Sequence, residues 1–74
     1  MGRVEVRVPE EGKIVEWKKR VGEKVSEGEV ILVIEAAKGT KEIEAPATGV
    51  LKEVLKKEGE DAAENEVVAI IETE

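Results

Sequence analysis

No cysteine and no histidine occur in this chain, which removes the usual zinc sets, imidazole acid–base catalysis, thiol nucleophiles and disulfides at once. Ser26 and Asp61 therefore have no histidine with which to build a nucleophilic triad. Phenylalanine, tyrosine and glutamine are also absent, and there is one tryptophan, Trp17, and one asparagine, Asn65. No segment approaches the ~20 apolar residues of a membrane-spanning helix, and the N-terminus lacks a signal peptide's apolar run. The expectation is a cytoplasmic protein with no membrane partner. Positive charge is in the minority: 12 Lys and Arg face 18 Asp and Glu, for a net charge of −6. That balance argues against a nucleic-acid partner. Lys18-Lys19-Arg20 is a basic cluster without an aromatic to stack on bases, and is expected to be a solvated strand face.

What is present is charge and aliphatic bulk. Charged residues make up 41% of the chain and the acids are nearly all Glu, a composition that fits a heat-adapted or an idealised sequence. At 74 residues the chain is expected to form one domain, 1–74, with a modest core. The strongest pattern is an internal repeat. Adding 37 to a residue number carries Pro9 to Pro46, Gly12 to Gly49, Gly22 to Gly59, Glu23 to Glu60, Glu29 to Glu66 and Ile34 to Ile71. Twelve identities fall in residues 5–35 against their counterparts at 42–72. Asn65 stands where Gly28 stands in the first copy, and Asn is the next residue after Gly to tolerate a positive φ. The remaining glycines punctuate the copies at equal intervals, as turns require.

Val4, Val6 and Val8 alternate with charged residues, the period of a strand with one buried face. Val30 to Ile34 and Val67 to Ile71 are short β-branched runs that read as buried strands. Residues 13–21 and 50–57 have apolar spacings that also fit an amphipathic helix. Both are short and bounded by glycines, and as repeat mates they must share one conformation. Strand is the reading adopted for both, giving two sheets related by a pseudo-two-fold.

Between the copies lies Glu35-Ala36-Ala37-Lys38-Gly39-Thr40, which has no second copy. With strands at 29–36 and 40–45, Ala36-Ala37-Lys38-Gly39 reads as a hairpin turn, Gly at its last position suiting type I. Lys38 then stands at the tip, an open primary amine able to attack an activated acyl carbonyl. Glu35 is a candidate contact for an enzyme that recognises the loop, and Lys41, Glu42 and Glu44 flank it. Trp17 is expected to cover the core.

These residues carry a resemblance. Gly12-Lys13-Ile14-Val15-Glu16-Trp17, Val21-Gly22-Glu23-Lys24-Val25, Glu35-Ala36-Ala37-Lys38-Gly39 and Glu42-Ile43-Glu44-Ala45-Pro46 resemble the lipoyl domain of 2-oxo acid dehydrogenase acyltransferases, and the related biotinyl domains. The resemblance covers almost the whole chain. It implies an all-β flattened barrel or sandwich of two four-stranded antiparallel sheets. It also implies a non-catalytic carrier whose Lys38 bears lipoate in amide linkage as a swinging arm. The implied partners are a lipoate ligase or transferase and the decarboxylase, acyltransferase and dihydrolipoamide dehydrogenase of such a complex. Ala37 stands where lipoyl domains usually have Asp, and Gly39 where they have Ala; the methionines that flank the lysine of biotinyl domains are missing. Glu35 and the Val15-Glu16-Trp17 stretch fit the lipoyl pattern, the Glu35-Ala36 pair also fits the biotinyl pattern, and no segment resembles the protruding thumb of some biotinyl carriers. Lipoate is thus the cofactor expected. Biotin on Lys38 of a carboxyl carrier is the alternative, and an idealised scaffold without a prosthetic group is the third reading.

Overall fold

Eight strands and no helix form over residues 2–74, the part of the chain that the computed structural model describes. They are β1 (Gly2–Arg7), β2 (Gly12–Trp17), β3 (Lys24–Val25), β4 (Val30–Ala36), β5 (Gly39–Glu44), β6 (Gly49–Val54), β7 (Asp61–Ala62) and β8 (Val67–Thr73). Adding 37 carries β1–β4 onto β5–β8 residue for residue. One sheet has the order β1-β8-β6-β3 and the other β5-β4-β2-β7, all antiparallel, so the same operation exchanges the sheets.

The core between the sheets obeys the same rule. Its buried side chains fall into mates: Val6 with Ile43, Val8 with Ala45, Ile14 with Leu51, Val25 with Ala62, Ile31 with Val68, Leu32 with Ala69 and Ile34 with Ile71. No polar side chain is buried among the described residues, so apolar burial is the main source of cohesion. Loop hydrogen bonds repeat too. Gly22 N–H donates to the Leu51 carbonyl at 2.8 Å, and Gly59 N–H to the Ile14 carbonyl at 2.9 Å. The positive φ predicted at the Gly28/Asn65 pair is present in both, at 87° and 65°.

The helix-like spacing of residues 13–21 and 50–57 has a physical origin in the strands. β2 carries a bulge between Ile14 and Glu16, and β6 one between Leu51 and Glu53. The extra residue lets positions three apart face the core together. Ile14 with Trp17, and Leu51 with Val54, thereby acquire a helical interval.

Three expectations need correction. β2 ends at Trp17 rather than continuing to Val21, and its mate β6 ends at Val54 rather than at Lys57. The chain turns because Glu23 ties residue 20 twice: its carboxylate accepts the Arg20 N–H at 2.7 Å, and its own N–H donates to the Arg20 carbonyl at 3.0 Å. Lys18-Lys19-Arg20 is accordingly a bend and not a strand face, with Lys18 paired to Glu16 and Lys19 to Glu29. Gly12 and Gly49, read as turn glycines, have no positive φ and open β2 and β6. They are glycine because the next strand is too close: a Cβ on Gly12 would lie 2.7 Å from the Glu35 carbonyl oxygen, and one on Gly49 would meet that of Glu72.

Candidate functional site

The β4–β5 hairpin is closed by pairing of Ala36 with Gly39, leaving Ala37 and Lys38 as its two loop residues. Two-residue hairpins usually need positive φ inside the loop to match the twist of their strands. Neither Ala37 nor Lys38 has it; Gly39 does, at φ 128°, so the first residue of β5 takes up the mismatch. This is how two ordinary L-residues can occupy the tip.

Small residues surround the tip. Gly39, Ala36, Gly12 and Ala62 lie side by side across β5, β4, β2 and β7. Gly12 allows β2 to run hard against the hairpin base. The adjoining row, Thr40, Glu35, Lys13 and Asp61, is polar and exposed. Lys38 itself is exposed and makes no ion pair among the described residues. Ala37 and Gly39 beside it are exposed and add no bulk. An amine presented this way has the access that amide formation with an activated acid demands.

The other sequence candidates divide. Glu35 lies on the outer face of β4, one residue below the hairpin's closing pair and opposite Thr40 and Lys13. Glu42 and Glu44 are exposed farther along β5. Lys41 is engaged: its Nζ lies 3.2 Å from a Glu10 carboxylate oxygen, joining β5 to the turn after β1. Sequence reasoning did not find this pairing, because a separation of 31 residues with no repeat mate (Val4 and Ala47 hold the equivalent places) gives no local signal. Trp17 covers the core as expected, half-buried against it with its indole N–H donating to the Lys56 carbonyl at 2.8 Å. An open groove of about 590 Å³ does exist, but it is lined by Lys24, Ser26, Thr48, Gly49, Glu72 and Thr73 among others. Those are the two-fold counterparts of the lysine end, not the lysine end itself.

Solved structures share this architecture. The urea carboxylase of Kluyveromyces lactis superposes with a TM-score of 0.88 at 24% identity, over 96% of this chain and 6% of that one. A single-chain, multi-domain long-chain acyl-CoA carboxylase superposes with a TM-score of 0.85 at 23% identity, over 93% of this chain and 7% of that one. At these identities the likeness establishes the fold, and the chain spans only a small fraction of either protein. No curated protein matches the sequence closely enough to count as a relative. Residues 4–71 match the Biotin_lipoyl family, described as biotin-requiring enzyme. The match does not separate the expected 2-oxo acid acyltransferase type from the biotinyl type. This chain belongs to the biotin/lipoyl attachment family, whose members are carrier domains that catalyse nothing themselves.

Proposed function

We propose that the chain is a biotin carboxyl carrier domain and that Lys38 is its attachment residue. The observation that carries this is the position of Lys38 in a family whose description is biotin-requiring: an unpaired amine on a two-residue turn, flanked by Ala37 and Gly39. In attachment, the Lys38 Nζ attacks the carbonyl of a biotinyl-adenylate supplied by a ligase. The amide C–N bond forms, the mixed-anhydride C–O bond breaks, AMP departs and the surplus proton passes to solvent. When bound, biotin supplies a ureido nitrogen that holds a carboxyl group. The chain contributes a rigid pole from which that group reaches two sites of a carboxylase, one loading and one unloading, at high effective concentration. Glu35 and the Ala37 and Gly39 flanks would be the features read by the ligase.

The fold and the comparisons weigh the cofactor differently from the sequence pattern. Val15-Glu16-Trp17 leaned towards lipoate, yet its indole is occupied with core cover and the Lys56 carbonyl. Trp17 pairs with Leu32, four residues below the hairpin's closing pair at Ala36, so it reports the fold rather than the attached group. Both carboxylases that share the architecture favour biotin. Lipoate on Lys38, with the components of a 2-oxo acid dehydrogenase as partners, is the second reading; the Glu35 spacing fits it, while the Glu35-Ala36 pair fits the biotinyl pattern as well.

The test is intact mass and peptide mapping after incubation with biotin, ATP and biotin ligase, and in parallel with lipoate and lipoate ligase. A biotinyl increment confined to Lys38 and lost in Lys38→Arg is expected. A lipoyl increment alone would transfer the assignment to the second reading. An unmodified mass beside labelled control domains would leave a scaffold without a prosthetic group.

A further inference from the structure

The hairpin carries two lysines, Lys38 in the turn and Lys41 three residues later, and both are exposed. They differ in one respect: Lys41 is held 3.2 Å from Glu10, and Lys38 is held by nothing among the described residues. We infer that Glu10 is a positioning residue for acylation, keeping the Lys41 amine engaged so that Lys38 is the one free nucleophile of the hairpin. This rests on the reading of Lys38 as acceptor and adds what excludes its neighbour.

The chemistry requires the distinction. An amine attacks an acyl carbonyl through its nitrogen lone pair; any lysine ammonium must first lose a proton, and one bound to a carboxylate must in addition leave that partner. Glu10 reaches Lys41 because the turn after β1 crosses to the lysine end of β5. The repeat makes the pair conspicuous: the counterparts of Lys41 and Glu10 are Val4 and Ala47, so the fold has no need of a bridge there. Both side chains are partly exposed, at 47% and 36%, so the discrimination is graded rather than absolute. An exposed pair is worth at most ~1 kcal/mol, which sets its release at about two- to five-fold in reactivity.

The experiment uses biotinyl-adenylate alone, without ligase, on the whole chain. Adducts are quantified by peptide mapping relative to Lys52, an exposed lysine of β6 that makes no ion pair among the described residues. In Glu10→Gln, labelling of Lys41 should rise about two- to five-fold while Lys38 and Lys52 hold steady. High salt should raise Lys41 in the parent chain and leave Glu10→Gln unchanged. Equal Lys41 labelling in parent and variant would overturn the inference, and so would a parallel rise at Lys38, which would mean a loosened hairpin. Because no ligase takes part, failure of enzymatic biotinylation would sink the biotin reading without touching this result.

Discussion

Glu29 and Glu66 each turn back on their own loop. Glu29 accepts the Ser26 N–H at 3.0 Å and meets Lys19 at 3.2 Å; Glu66 accepts the Ala63 N–H at 2.7 Å and meets Lys56 at 3.4 Å. Both carboxyls are held below the ordinary Glu value, first by the backbone N–H and then by the lysine, with desolvation opposing. A depressed folded value means stability that is present above the unfolded value of about 4.3 and lost as pH falls through the folded one. The melting temperature should therefore fall on acidification below about pH 4.3 more steeply in the parent than in a Glu29→Gln/Glu66→Gln double variant. Parallel curves would show that these contacts carry no linkage. At this scale the sequence is half legible. The Glu29/Glu66 repeat was visible, and so was the need for Gly or Asn at 28 and 65. The close approach that makes Gly12 and Gly49 obligatory was not, because it is set by carbonyls 23 residues away.

The hairpin element hangs on Gly39. Its φ of 128° is one that L-residues rarely adopt, and nothing lies within 4 Å of where a Cβ would point, so strain alone decides the cost of a side chain. Gly39→Ala should cost about 1–3 kcal/mol. Amide exchange should place the loss in the β4–β5 hairpin; a melting temperature equal to the parent's would mean that the turn relaxes into another geometry. The hairpin was readable beforehand because two strand patterns converge on one short polar stretch. β3 and β7 were not readable from pattern, since two residues are too few to show a period. The bulges in β2 and β6 gave these strands a helix-like spacing for the converse reason, that one inserted residue shifts the period, and the repeat and their length decided for strand. The Lys41–Glu10 pairing joins elements whose proximity only the folded sandwich creates.

For the whole molecule the decisive property is that one arrangement is used twice. Mates share a backbone environment but not always volume: Ile34 answers Ile71, whereas Leu32 answers Ala69 and Val25 answers Ala62, a large side chain on one sheet there accompanying a small one on the other. Leu32 is fully buried, and Leu32→Ala should cost about 2–5 kcal/mol by transfer and cavity terms together. Chemical denaturation checks this; a loss under 1 kcal/mol would mean that the sheets close over the gap. Such economy is why a repeat of 37, visible in prolines, glycines and acids, foretold that the strands of one half recur in the other, although not where β2 and β6 end. The repeat also bears on connectivity. Gly2 pairs with Thr73 as Gly39 pairs with Ala36. The outer ends of β1 and β8 are thus held together by the same pairing that closes the lysine hairpin, and a cut in the turn at 37–38 would leave every strand pairing whole. In topological terms the two arcs are interchangeable, and only the residues written on each tell them apart.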